Sequence, residues 1–206
     1  MLQIRYNFYG DIMYSIDKKT TSLIEINKSK FYGILIPINS IEEVNKIINL
    51  TKSEYKDATH YCYAYILDNT KRFNDDGEPG GTAGMPILNV LETNNLNHVL
   101  AIVVRYFGGI KLGAGGLVRA YTNSITTTLN NSSIIELIKG YRLKIIFEYN
   151  NSKQIDYILK SYNIVDKTYD KNIEYIIEIP YDDDIKDMLN NYIISYEIID
   201  NIYIKK

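Results

Sequence analysis

Polar and apolar positions alternate along TSLIEINKSKFYGILIPI (21–38), with a polar break at Asn27-Lys28-Ser29. That pattern predicts two strands joined by a tight turn. Ser40 and Glu43 then form a capping-box pair, and Ile41, Val44, Ile48 and Tyr55 recur at helical spacing behind it. HYCYAYILD (60–68) alternates again. His60, Cys62, Ala64 and Ile66 share one strand face, while Tyr61, Tyr63, Tyr65 and Leu67 share the other. HVLAIVVRY (98–106) is nearly continuously apolar, the signature of a strand buried on both faces. Leu117, Tyr121, Ser124, Ile125, Thr128 and Leu129 mark a helix.

From Asn130 to Gly140 the chain passes into a second block. RLKIIFEY (142–149) reads as a strand. A helix follows from about Ser152 to Tyr162, with Ile155, Ile158 and Leu159 inward. NIVDKTYD (163–170) and NIEYIIEIP (172–180) read as a hairpin. Asp182 to Tyr192 reads as a helix with Ile185, Met188 and Leu189 toward the core and three aspartates suited to its N-terminal dipole. SYEIIDNIYIK (195–205) is the last strand. The order βαββαβ is the ferredoxin-like pattern, a fold that hosts many unrelated functions. The fold class is therefore α+β in two domains, 1–138 and 139–206.

Composition narrows the function classes. Among 206 residues, 23 Lys and Arg face 25 Asp and Glu, so there is no overall pull toward nucleic acid, and any such contact needs a local patch. A single cysteine, Cys62, excludes an intramolecular disulfide and, with two histidines, a thiolate-rich zinc site. No signal-peptide pattern and no run of about 20 apolar residues is found, which predicts a cytoplasmic protein without a membrane contact. The 20 tyrosines are spread evenly and read as a compositional habit rather than a binding stripe.

Nine of the 12 glycines lie between Gly77 and Gly116, and this block carries the candidate chemistry. In ATHYCYAY (58–65), His60 and Cys62 fit a base and nucleophile, but Cys62 fits a buried structural thiol better because no third, orienting residue is evident. His60 suits either a groove edge or a structural hydrogen bond. In DDGEPGGTAGMP (75–86), Asp75, Asp76 and Glu78 are close enough to share Mg²⁺, to meet basic groups of a partner or, with His60, to act as acid and base. The alternative is a solvated turn, since Asp-Gly and Pro-Gly are turn dipeptides. In RYFGGIKLGAGGLVRAY (105–121), Gly108, Gly109, Gly113, Gly115 and Gly116 suit a strand-to-helix turn that cradles an anion, flanked by Arg105, Lys111 and Arg119, and 101–120 contains no acid. The competing reading is tight strand–helix packing. Neither the Walker ending nor the dinucleotide fingerprint is present.

The three segments THYCYA, FNDDGEPGGTAGMPIL and VVRYFGGIKLGAGGLVRAY, in that order, resemble the IMPACT/YigZ family over roughly residues 20–132. The second block resembles the small domain that follows in bacterial members. Residues before about Thr20 have no match. The resemblance implies a first domain like elongation factor G domain IV, with a left-handed βαβ crossover, and a second like its domain V. It implies motif positions at His60, Asp76, Gly77, Glu78, Arg105, Gly108, Gly109, Leu112 and Gly113. It also implies a role in translation control, which eukaryotic relatives exert partly through an additional N-terminal domain. No counterpart of that domain is expected here, so their partnership is not carried over. A dipeptidase activity is not supported, because no metallopeptidase motif such as HExxH is present.

Together these features point first to a non-enzymatic module that binds RNA, the ribosome or a translation-related protein. Residues 72–84 as a protein-recognition loop without RNA contact come second. An enzyme on a small phosphorylated or peptide substrate comes third. Oligomeric state is not legible.

Overall fold

The computed structural model describes residues 13–206, so the first twelve residues of the unmatched N-terminal stretch lie outside it. The chain divides into two compact units, 1–136 and 137–206.

The first unit contains strands β1 (Met13–Ile16), β2 (Thr20–Ile26) and β3 (Ser29–Pro37), helix α1 (Ile41–Glu54), strands β4 (His60–Leu67) and β5 (Thr70–Asn74), helix α2 (Gly84–Thr93), strand β6 (Val99–Tyr106) and helix α3 (Gly113–Asn130). Its main sheet has the order β2-β3-β6-β4-β5, every neighbour antiparallel. The expected β2–β3 hairpin forms, and its two turn residues Asn27 and Lys28 both take positive φ, the geometry that matches the strand twist. Ser40 caps α1 by accepting the Glu43 N–H, and the Glu43 carboxylate accepts the N–H of Asn39.

β6 is the middle strand and, as its composition predicts, is buried on both faces. Val99, Ala101 and Val103 pack toward the core that α2 and α3 cover, with Phe31, Cys62, Ala64, Leu117, Tyr121 and Ile125. Leu100, Ile102 and Val104 pack into a second core with Ile34, Val44, Tyr65 and Leu67.

Three features of the first unit depart from the sequence reading. β5 pairs with β4 through a turn at Asp68-Asn69, and α2 forms directly after the acidic loop. That loop is anchored rather than free: Glu78, Thr82 and Ala83 are buried. Finally, α3 begins at Gly113 and takes Gly113, Gly115 and Gly116 into its first turn, instead of starting behind them.

The second unit is built on β7 (Ile134–Phe147), α4 (Ser152–Ile158) with a short helical turn at Leu159–Ser161, β8 (Asn163–Tyr169), β9 (Ile173–Pro180), α5 (Ile185–Leu189) and β10 (Ser195–Lys205). These strands run β10-β7-β9-β8, all antiparallel. Leu143, Ile145, Phe147, Ile155, Leu159, Ile177, Ile185 and Leu189 form its core. β7 starts eight residues earlier than the sequence suggests, and α5 spans five residues rather than the whole of 182–192. Ile185 and Leu189, one turn apart, fill the core, whereas Met188 lies off that narrow stripe and is half exposed.

Candidate functional site

The strand register assembles the three motif segments. Arg105 near the end of β6 lies opposite His60 on β4 and opposite Phe31 on β3. Arg105 is only 5% exposed, and its side chain turns into the protein. Its Nη1 donates to Glu78 Oε1 at 2.5 Å, and the Tyr121 hydroxyl from α3 donates to the same oxygen at 2.7 Å. His60 Nε2 lies 3.9 Å from that oxygen. The other His60 nitrogen, Nδ1, is 2.8 Å from the Asp76 carbonyl. A carbonyl only accepts, so Nδ1 is a donor here and Nε2 is turned toward Glu78. One carboxylate oxygen thus gathers groups from β4, β6 and α3.

The two aspartates of the acidic loop are taken up by backbone N–H groups. Asp75 accepts the N–H groups of Gly81, Ala83 and Gly84 at 2.8–3.0 Å, capping α2 from eight to nine residues upstream. Asp76 Oδ2 accepts the Tyr61 N–H at 2.7 Å. The expected magnesium set of Asp75, Asp76 and Glu78 therefore does not converge. Among the described residues there is no group of three or more His, Cys, Asp or Glu side chains able to hold a metal ion. His60 meets the Glu78 side chain but only the backbone of Asp76, so a three-residue acid–base groove is not formed.

Cys62 is fully buried, its sulfur 3.0 Å from the Asp75 carbonyl and 3.4 Å from the Tyr121 hydroxyl, either of which can accept its one proton. Burial pushes its thiol up to about 12, leaving it neutral and a poor nucleophile. Burial and the neighbouring Cys62 also raise the Tyr121 phenol, so it serves as a hydrogen-bond donor to Glu78.

The glycine-rich segment separates into packing and surface positions. A Cβ on Gly108 would fall 2.0 Å from the Lys28 carbonyl carbon, so this glycine exists for close approach, and its N–H donates to Ser29 Oγ. Gly109 and Gly113 have φ of +86° and +69° in open space. Gly115 and Gly116 line the start of α3, which has no side-chain cap and no acidic residue in its first turn. Lys111 and Arg119 are exposed and form no ion pair among the described residues. Phe107 is 45% exposed, with its N–H donating to Thr59 Oγ1 at 3.0 Å. The Arg105 guanidinium carbon lies 5.4 Å from the ring centroids of both Phe31 and Phe107.

Two participants escape a motif reading. Tyr121 registers in sequence only as a core position of a helix, although a buried tyrosine hydroxyl needs a partner and thereby signals one. Phe107 is hidden by the evenly aromatic composition.

This arrangement is an antiparallel sheet carrying a buried ionic pin beneath a cationic, glycine-lined surface. Residues 27–129 match the family model of the Impact N-terminal domain. The chain is 46% identical over 116 residues to the IMPACT family member YvyE of Bacillus subtilis, covering 55% of this chain and 54% of that protein. It is 33% identical over 162 residues to an IMPACT family member of Haemophilus influenzae, covering 75% of this chain and 79% of that protein. A crystal structure of a hypothetical protein superposes with a TM-score of 0.67 at 26% identity, covering 91% of this chain and 96% of that one. The chain belongs to the IMPACT family. Its match spans about half the length of YvyE, and the bacterial Haemophilus relative is matched more fully.

Proposed function

We propose that this protein is a non-enzymatic binding module that engages the phosphate backbone of RNA, in a translational setting, through the surface of residues 107–119. One observation carries this: within the three motif segments, the charges are sorted. Glu78, Asp75, Asp76, Arg105 and His60 each have an internal partner, and the charged side chains left facing solvent without an ion pair are the cations Lys111 and Arg119. The glycines beside them keep side chains away from the backbone, and the uncapped start of α3 adds N–H groups of favourable dipole. Arg105 acts as a pin, not a phosphate contact, because its guanidinium is buried. Gly108 serves packing, Gly116 sits close against Leu112, and Gly109, Gly113 and Gly115 serve the surface.

Family membership supports the translational setting. The strand order β10-β7-β9-β8 and the succession βαββαβ support a ferredoxin-like second unit. The connection from β3 through α1 to β4, which skips β6, supports reading this unit as a βαβ crossover of the kind proposed for a domain like elongation factor G domain IV. On the sheet of the second unit Lys144 pairs with Glu174, and Arg142 pairs with Glu178 and Asp200, whereas Lys139 is exposed.

The test is binding of a labelled, unstructured RNA to the wild type and to Lys111→Ala with Arg119→Ala. Loss of affinity at unchanged melting temperature supports the assignment. Equal affinity removes this surface from RNA binding, and preferential capture of a protein partner by residues 72–84 favours the protein-recognition alternative.

A further inference from the structure

Phe107 lies four residues before Lys111 in the segment that leads to this cationic surface, and its setting is unusual for an exposed apolar side chain. The ring is nearly half open to solvent, yet it is held from three directions. Its backbone N–H is tied to Thr59 Oγ1. The next residue, Gly108, is wedged against the Lys28 backbone with no room for a Cβ. Arg105 lies against the ring, and Arg105 is itself held by the Glu78 pin and packed near Phe31. A ring fixed in this way loses little conformational entropy when something stacks on it. The buried ion pair thereby gains a role: it rigidifies an aromatic platform at the mouth of the loop.

We propose that Phe107 is a stacking platform for one unpaired nucleobase of the RNA whose phosphates meet Lys111 and Arg119. This deepens the functional reading above and rests on it. Charge complementarity favours the occupant: residues 101–120 contain no acid, so an aromatic group arriving here on a polyanion is attracted, whereas one on a cationic chain is not. Aromatic–base stacking is tolerant of sequence and does not consume phosphate contacts. The expected recognition is therefore of single strands, without marked base preference.

The experiment compares an unstructured RNA oligomer with inorganic polyphosphate, which carries similar charge and no base. Phe107→Ala is expected to weaken RNA binding by about ten- to hundred-fold, to leave polyphosphate binding unchanged and to leave the salt dependence unchanged. Phe107→Leu keeps apolar bulk over Arg105 but lacks the π face, so it is expected to behave like Phe107→Ala even where the alanine variant folds poorly. Phe107→Trp is expected to retain binding. Because the chain has no tryptophan of its own, its emission reports the platform alone and is expected to be quenched by RNA but not by polyphosphate. Unchanged RNA affinity in Phe107→Leu, or a parallel loss of RNA and polyphosphate, overturns the stacking assignment while the cationic surface stands. A wild type that binds neither probe overturns both.

Discussion

Glu78 and Arg105 are withdrawn from water together, and each justifies the burial of the other. Removing one partner of a buried ion pair leaves an uncompensated charge and costs about 3–5 kcal/mol. Arg105→Ala and Glu78→Ala are each expected to lose stability on that scale in denaturant melts. The double variant is expected to lose clearly less than the sum, since the two residues are in contact. Additive losses would show that the pair does not act as a unit. The sequence places a cation and several carboxylates near one another, but it does not show which of them turn inward. That depends on Arg105 sharing a strand register with His60 and Phe31, which only the assembled sheet fixes.

Cys62 gives a second test at this scale. Its folded thiol lies near 12, above its ordinary value of 9.0, because burial disfavours the thiolate. The native state therefore holds the proton more tightly than the unfolded chain. The resulting contribution is complete below about pH 9 and is lost as pH rises toward 12. Tyr121, raised in the same direction, adds to the alkaline loss. Cys62→Ala is expected to flatten part of the fall in stability measured by melting between pH 9 and 11. In the native protein iodoacetamide is expected not to label Cys62 at pH 8. Rapid labelling of folded protein would contradict the buried, neutral thiol.

Among the elements, the long periodic segments were legible and the short or glycine-led ones were not. β6, β4, α1 and the β2–β3 hairpin follow from periodicity and from one polar break. α2 did not, because its first turn reads Gly-Met-Pro and its cap comes from Asp75, eight to nine residues away, so no local signal marks its start. Three aspartates and Ile, Met and Leu at helical spacing suit a longer helix than the five residues α5 forms, of which only Ile185 and Leu189 are buried. The glycines divide by geometry in a way that composition conceals. Gly108→Ala is expected to lower the melting temperature by several degrees, because the new Cβ meets backbone at Lys28 and not a flexible side chain. Gly80→Ala meets nothing within 4 Å and is expected to stay within about 0.5 kcal/mol of the wild type. Similar melting curves for the two variants would refute this division.

On the scale of the whole molecule, two units with separate cores make different commitments. Residues 137–206 enclose their own apolar cluster, and a chain of that segment is expected to fold alone, with dispersed amide resonances and a cooperative melt. Collapsed resonances would show that the second unit depends on the first. Arg142 and Lys144 on its sheet are paired with carboxylates, and removing this unit is expected to leave the contribution of Lys111 and Arg119 to the charge dependence of RNA binding unchanged. The proposed surface assigns that contribution to Lys111 and Arg119. The most direct measurement is the slope of log affinity against log salt for an unstructured RNA. Each of Lys111→Ala and Arg119→Ala is expected to reduce that slope by about 0.7–1 and to weaken binding evenly across RNA sequences. Slopes identical to that of the wild type in both variants, with folding intact, would contradict a phosphate-binding surface at residues 107–119.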